Sequence, residues 1–296
     1  MNVTILGTNG FLSGAIALYC NEKDYPVSMY GLDDPVGHQY VSFHQVNFMT
    51  DDVDVKDMCK SDIIVYAIGA GVQSNLKEGI DLIYNLNVTV PVRICNLLKS
   101  AGYKGKFITF GSVFEMGETK EERFFTEEDI QTSQAIAPND YTVSKRMFTR
   151  FFSSSRREFT HWHFIIPTIY GESENSKRLI PYTINAIKNG EGLHFTAGDR
   201  TRQYIHVSEV PRMIDIAYRK NIPDGLYNIQ GKETITVKEI VTLIHQVLGK
   251  NVPEGCFGSA QRVDAGMKYL ALDGTKLKEA TGFEPCIKLE EVIKKY

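Results

Sequence analysis

Tyr141 and Lys145 stand four residues apart in Tyr141-Thr142-Val143-Ser144-Lys145. That spacing places both side chains on one face of a helix, one turn apart. A phenol beside an ammonium group is a proton-exchange pair. The positive charge favours the phenolate and draws the phenol below its ordinary value of about 10. Hydride transfer at a carbinol carbon needs such a group, because the hydroxyl proton moves when the hydride does. The spacing alone is common and usually marks a solvated helix face. Ser112 sharpens it, since it ends the run KFITFGS (106–112). A strand's carboxyl end is where a doubly wound sheet binds its ligands, and a serine hydroxyl there can hold a substrate oxygen beside Tyr141.

A second chemical feature precedes these residues. Gly7-Thr8-Asn9-Gly10-Phe11-Leu12-Ser13-Gly14 follows the apolar run VTILG (3–7) and opens a helical pattern. A pyrophosphate would meet a helix N-terminus there. Gly7 permits the tight turn, and Gly10 lets backbone approach phosphate. Ser13 stands where a third glycine is usual, with Gly14 beside it. The second strand run, VSMYG (27–31), ends in Gly31 where an acid would select the ribose of NAD. Asp33 and Asp34 come later and read as solvated turn residues. No arginine follows to hold a 2′-phosphate. Gly31 is read as open space and tilts the choice between NAD and NADP toward NADP.

The elements that must position these groups follow from the apolar pattern. Strand runs at 3–7, 27–31, 43–48, 62–69, 106–112 and 163–171 alternate with helical segments at 12–21, 80–100 and 139–158. That alternation argues for βαβ units in a parallel sheet covered on both faces. The expected fold is α/β: a Rossmann-like, doubly wound parallel sheet with a small interleaved substrate-binding lobe. Residues 1–171 form the dinucleotide-binding part, to which 202–230 return. Residues 172–201 and 231–296 form the lobe. The lobe's expected elements are helices at 179–189, 236–249 and 273–281, and short strands are expected at 204–207 and 226–229 in the returning segment.

Composition excludes other classes. The 296 residues are 43% hydrophobic and 23% charged, with net charge −3, so nothing suggests nucleic acid as a partner. No apolar stretch approaches the length of a membrane span, and no leader-like run opens the chain. Five cysteines, at 20, 59, 95, 256 and 286, show no metal-binding spacing. They read as reduced, buried thiols of a cytoplasmic protein, and no metal is expected.

Together the motifs resemble the extended short-chain dehydrogenases, the nucleotide-sugar epimerase/dehydratase/reductase group. The resemblance runs along almost the whole chain. GTNGFLSG is similar to that family's glycine loop, and Ser112, Tyr141 and Lys145 match its Ser/Tyr/Lys triad. Asn87, in NLNVTVPVRICN, sits at a family helix position. Further matches are Pro167-Thr168-Ile169-Tyr170-Gly171, Arg178-Leu179-Ile180-Pro181, GDRTRQYIHVSEV (198–210), GLYNI (225–229) and LDGTKLKEATGFEP (272–285). The resemblance implies a seven-stranded Rossmann sheet, NAD or NADP as cofactor and a nucleotide sugar as substrate. Two helices pairing across a two-fold axis would make a homodimer.

The resemblance also assigns roles. Gly7, Gly10, Phe11, Leu12 and Gly69 would cradle the cofactor, with Asn87, Tyr141, Lys145 and Pro167. Ser112 and Thr168 would meet the sugar, and Phe195 would stack on the base. Arg202 and Arg262 would clamp the diphosphate, for which a planar charged fork is suited. His206 reads as structural.

Sugar 4,6-dehydratases of the group carry Asp-Glu directly after the catalytic Ser/Thr. Val113-Phe114 occupy those positions here and cannot move a proton. Met116, before Gly117, departs from the tyrosine usual in epimerases. The first expectation is therefore a reductase acting at C4 of a nucleotide-linked 4-keto-6-deoxy sugar. The alternatives are a 4-epimerase with tightly held NAD and a non-catalytic NAD(P)-binding regulatory protein.

Overall fold

The computed structural model describes residues 1–72, 77–260 and 266–296. Short β-branched runs become strands, numbered in chain order. They are β1 (Val3–Leu6), β2 (Val27–Gly31), β3 (Ser42–Gln45), β4 (Ile63–Tyr66), β5 (Lys106–Ser112), β6 (Thr160–Ile166), β7 (Thr168–Tyr170), β8 (Thr201–His206), β9 (Gly225–Asn228), β10 (Glu233–Thr236) and β11 (Tyr269–Leu270). The α-helices are α1 (Phe11–Glu22), α2 (Ile80–Tyr84), α3 (Val90–Ser100), α4 (Glu127–Thr132), α5 (Asp140–Ser154), α6 (Leu179–Asn189), α7 (Glu209–Lys220), α8 (Val237–Val247), α9 (Thr275–Thr281) and α10 (Leu289–Ile293).

Seven strands form one sheet in the order β3-β2-β1-β4-β5-β6-β9. Every pairing in it is parallel. The order reverses at β1/β4, which defines a doubly wound sheet with its ligand crevice at the carboxyl ends. Strand alternation divides the core between two faces. Val3, Ile5, Ile63, Val65 and Ile108 pack with Ile16 and Ala17 of α1 and Met213 and Ala217 of α7. Leu6, Ile64, Tyr66 and Phe107 point the other way, onto Val90, Ile94 and Leu98 of α3. Burying both faces explains why these strands read as continuous apolar runs.

A small second sheet forms around β8, with β10 antiparallel to it and β7 and β11 parallel. Of the segment 202–230, β8 lies in this small sheet, whereas β9 pairs with β6 of the large one. Helices α6, α8 and α10 cover the lobe with Ile180, Ile184, Ile240, Ile244 and Val292.

Two expected elements divide. The run at 163–171 is two strands, parted at Pro167. Without an N–H, proline cannot continue the ladder, and the chain leaves the large sheet for the small one. The helix at 80–100 is interrupted by a π-helical stretch, Asn85–Thr89. Pro91 removes the donor that would bond back to residue 87, and the buried side chain of Asn87 bonds outside its own helix. Both favour a widened turn, a feature frequent at functional sites. All five cysteines are free thiols; Cys286 is exposed rather than buried. Among the described residues no helix is long and apolar enough to cross a membrane.

Candidate active site

The glycine loop joins β1 to α1. Gly7 has φ +109°, a conformation that side chains rarely adopt. Gly10 is the N-cap of α1 and has no side chain to occupy the first-turn N–H groups. The helix carries no acid in its first turn, so its N-terminus is open to an anion. Ser13, buried, serves the loop itself. Its Oγ accepts the Gly10 N–H at 3.0 Å and donates to the Gly10 carbonyl at 3.1 Å. Serine at the third-glycine position thus fastens the turn.

The reading of Gly31 as open space is corrected. A Cβ there would lie 2.6 Å from Thr8 Oγ1 and 3.1 Å from the Thr8 nitrogen. The loop already fills the place, so the glycine serves close packing and says nothing about a 2′-phosphate.

Asn87 fixes a second loop, the segment after β4. Its Oδ1 accepts from the Ala70 N–H at 3.1 Å, and its Nδ2 donates to the Ala70 carbonyl and to Ser144 Oγ, both at 2.9 Å. One amide therefore ties the segment after β4 to the helix that bears the tyrosine. Gly69 sits in this crevice. A Cβ on it would come within 3.5 Å of Asn87 Oδ1 and 3.9 Å of Lys145 Nζ. This is backbone that a planar ring or ribose can approach, and with the α1 N-terminus it fits a dinucleotide.

The triad assembles at the end of β5. Ser112 is buried and starts a short 3₁₀ turn, 113–116, while Tyr141 and Lys145 lie on the first turns of α5. Ser112 lies close enough for its hydroxyl to act on the Tyr141 phenol, while its Oγ accepts the Phe114 N–H at 3.3 Å. Lys145 Nζ donates to the Phe110 carbonyl at 2.9 Å and stands 5.9 Å from the Tyr141 ring centre. Its two remaining N–H donors are left for a ligand. Burial pulls Lys145 down to about 8, against the opposing pull of Glu115.

Tyr141 departs from the expectation of a lowered phenol. Burial pushes it up to about 12; the Ser112 hydroxyl and Arg178 work against that shift, and Glu115 adds to it. In this state Tyr141 holds its proton near neutral pH and is set to donate it. The ring of Phe114 meets that of Tyr141 edge-on, with centres 6.3 Å apart. Val113 is buried among apolar neighbours that include Met116 and Phe125.

The other site residues are spread more widely. Phe11, Leu12 and Pro167 lie at the α1 start and at the break after β6, as the motif order requires. Thr168 opens β7, and its neighbour on β8 is Tyr204. Arg202 lies on β8, where its guanidinium donates to the Thr201 carbonyl at 2.7 Å. Phe195 is a core residue of the lobe, 3% exposed, stacked on Phe257 with Tyr182 against its edge. The structure therefore does not offer it to a base. Arg262 lies outside the described residues. His206, at the end of β8, bonds Ser208 Oγ at 2.7 Å and, across to the segment after β7, Glu172 at 3.3 Å.

Two residues escaped sequence reasoning. Arg178, at the N-cap of α6, is close enough for its charge to act on both Tyr141 and Tyr204. It pairs with the buried Glu174 at 3.2 Å. Its place before a helix start was readable, but its direction was not. Glu115 lies fully buried beneath the triad, and its signal was present as the Ser-x-x-Glu capping box of residues 112–115.

With this geometry in place, comparison with known proteins decides the family. The model of the NAD dependent epimerase/dehydratase family matches residues 3–229. The chain belongs to that family. A CDP-abequose synthase from Salmonella muenchen is 24% identical over 250 residues, spanning 82% of this chain and 79% of that protein. The structure of dTDP-glucose 4,6-dehydratase from Bacillus anthracis, a complex with NAD, is similar with a TM-score of 0.82 at 19% identity. It covers 100% of this chain and 94% of that one. The UDP-glucose 4-epimerase of Thermotoga maritima, solved with UDP-glucose, gives a TM-score of 0.80 at 20% identity, over 99% and 96% of the two chains. At such identities the likeness to these structures establishes the shared fold. Family membership by itself selects neither reaction, since epimerases and dehydratases share the frame.

Proposed function

We infer that the protein is a reductase acting at C4 of a nucleotide-linked 4-keto-6-deoxy sugar. One observation carries this reading. Tyr141 is a neutral phenol beside the Ser112 hydroxyl, and the residues following Ser112 are apolar, Val113 buried and Phe114 against the Tyr141 ring. The arrangement can protonate a carbonyl oxygen, but those two positions offer no acid or base for elimination. The match to a CDP-abequose synthase, named for a nucleotide-linked sugar, agrees with that substrate class.

In this reading Gly7, Gly10, Phe11 and Leu12 hold the cofactor pyrophosphate, and the 69–71 segment braced by Asn87 receives the nicotinamide half beside Pro167. The bound nicotinamide supplies the hydride. Ser112 Oγ donates to the sugar carbonyl, and Tyr141 gives its proton to the same oxygen as the carbinol forms. Lys145, as an ammonium, holds the ribose and stabilises the phenolate left behind. Ser112 and Thr168 face the sugar ring. Arg202 and Arg178 supply charge for the diphosphate, with Arg262 as a second clamp. The packing of Gly31 against Thr8 removes the argument for NADP, so NAD, the family's cofactor, is the first candidate.

Helices α2 and α5 pack together on one face of the large sheet, and Ile80 and Met147 are exposed there at 61% and 46%. This supports a homodimer through that face. The free, dispersed thiols agree with a cytoplasmic location.

The test mixes the protein with NADH or NADPH and a panel of nucleotide-linked 4-keto-6-deoxy sugars. Reduced-nicotinamide absorbance should fall in proportion to added ketosugar, and Tyr141→Phe should abolish the fall while cofactor still binds. Interconversion of ordinary nucleotide hexoses with NAD alone would instead establish a 4-epimerase. Cofactor binding with no turnover of either kind would mark a regulatory protein.

A further inference from the structure

Glu115 is a carboxyl with no exposure at all, placed between the large sheet and α5. Its Oε1 accepts the Ser112 N–H at 2.8 Å, and its Oε2 meets Thr149 Oγ1 at 2.6 Å. Its own carbonyl accepts from Arg146 Nε at 2.6 Å. The site is shaped for it. A Cβ on Gly111 would stand 2.5 Å from Glu115 Oε1 and 2.9 Å from His163 Nε2.

The contacts continue away from Glu115. Thr149 Oγ1 is 2.9 Å from His163 Nε2; His163 Nδ1 is 2.8 Å from Thr109 Oγ1; Thr109 Oγ1 is 2.8 Å from His161 Nε2. His161 Nδ1 then faces Cys95 Sγ at 4.0 Å. Every member is buried. Each hydroxyl has one proton and each neutral imidazole one N–H, so the chain must run in one direction or the other.

An ionised Glu115 fixes the direction. It can only accept, so Thr149 donates to it and must accept from His163 Nε2–H. His163 Nδ1 is then a lone pair that accepts from Thr109, which in turn accepts from His161 Nε2–H. The far end agrees: burial pushes the Cys95 thiol up to about 12, which leaves an S–H to face the bare His161 Nδ1. Both histidines are held well below their ordinary value, His161 by burial, His163 and Arg157, and His163 by burial, Lys145 and Arg157, so they stay neutral. Burial holds Glu115 above its ordinary value, against the opposing pull of Thr149, the Ser112 N–H, Lys145 and Arg146; the Ser112 N–H donated to Oε1 is the contact that favours the carboxylate.

We propose that Glu115 is a positioning residue of the active site: as a carboxylate it pins the Ser112 turn to α5, sets the direction of the buried hydrogen-bond chain, and places a negative charge on the side of the triad that Lys145 faces. The groups facing it are Lys145, Arg146 and Tyr141 from α5, His163 from β6 and the Ser112 N–H of its own turn. Hydrogen bonds aligned head to tail reinforce one another, which strengthens the hold on the Ser112 turn. The proposal rests on the triad assignment made above, and its test has readouts that need no sugar turnover.

The protein is labelled with ¹⁵N-histidine, and the rings of His161 and His163 are assigned by single substitution. In the parent protein both rings should carry their proton on Nε2. In Glu115→Gln the amide can donate to Thr149, the chain reverses, and both rings should switch to Nδ1–H. The same variant loses the charge facing Lys145. The alkaline limb of NADH affinity should then move to lower pH by about one unit, whereas Glu115→Asp should keep the parent limb. Failure of every ketosugar to react would leave these readouts intact. An Nδ1–H ring at either histidine in the parent protein overturns the proposal, even if Glu115→Gln does not fold. So does a folded Glu115→Gln whose rings or whose alkaline limb stay as in the parent.

Discussion

Gly31→Ala tests the meeting of β2 with the glycine loop. The new methyl would lie 2.6 Å from Thr8 Oγ1, 2.9 Å from Thr8 Cγ2 and 3.1 Å from the Thr8 nitrogen. A rotamer change at Thr8 can relieve the first two contacts. It cannot relieve the third, so the loop backbone must retreat by about 0.4 Å or more to reach ordinary separation. Overpacking of this kind costs about 1–3 kcal/mol. The displaced backbone is the one that presents its N–H groups at the start of α1. We expect urea unfolding to report that loss of stability, and NADH affinity to fall about tenfold or more, since 1.4 kcal/mol is a factor of ten. Thr8→Ala added to Gly31→Ala removes the two side-chain contacts but not the one to the Thr8 nitrogen, so it should restore only part of the stability, and the two effects should be non-additive because the residues touch. Parental stability and parental NADH affinity in Gly31→Ala would refute the packing argument. It would also restore the alternative in which this glycine leaves room for the cofactor ribose.

Three further outcomes follow from single groups. NADH affinity should weaken as pH rises through about 8, where Lys145 loses its proton; Tyr141→Phe should keep that limb, since the phenol, at about 12, titrates well above it. Asn87→Ala leaves the Ala70 N–H, the Ala70 carbonyl and Ser144 without their buried partner, so unfolding free energy should drop by about 2 kcal/mol or more, with NADH affinity falling too. Arg123 binds both oxygens of Asp129 at 2.7 Å and holds that carboxyl well below its ordinary range. A depressed carboxyl stabilises the fold above the unfolded value of about 3.9 and loses that contribution as pH falls toward the native one. With Arg123 44% exposed, Arg123→Ala should cost about 1 kcal/mol at neutral pH, and the deficit should shrink below about pH 4 in acid unfolding curves.

The large sheet was legible because its central strands are buried on both faces and read as apolar runs such as ITF or IIVY, whereas the edge strand SFHQ is not. The glycine loop and the Tyr141/Lys145 pair were legible because their spacing is local. What lay beyond local spacing was less so. Pro167 was read within one strand, although its missing N–H is what sends the chain into a second sheet. Pro91 and Asn87 were read within one helix, although together they widen it. Phe195 has the chemistry to stack on a base, but the residues that cover it, Tyr182 and Phe257, are distant in sequence. Gly31 was read by what it lacks, whereas the structure shows what occupies its place. Arg178 and Glu115 act through direction, outward toward Tyr141 and inward toward Thr149, and direction follows from packing rather than from residue type.

The turn after Ser112 shows why a shared frame does not carry a shared reaction. The frame is that of a dTDP-glucose 4,6-dehydratase to a TM-score of 0.82, yet the residues after Ser112 differ in what they touch as well as in type. Val113 is 1% exposed, in a cluster with Phe125, Leu270 and Leu272. An acid at 113 would be a carboxylate buried among hydrocarbon, which would take up a proton or destabilise the fold rather than serve the substrate. Glu115, the acid this turn does contain, is directed inward by two hydrogen bonds and by the absence of a side chain at Gly111. On the proposed reading, packing thus turns acid chemistry away from the sugar and leaves Ser112 and Tyr141 to face it. That leaves polarisation and protonation of a carbonyl oxygen as the chemistry this turn supports.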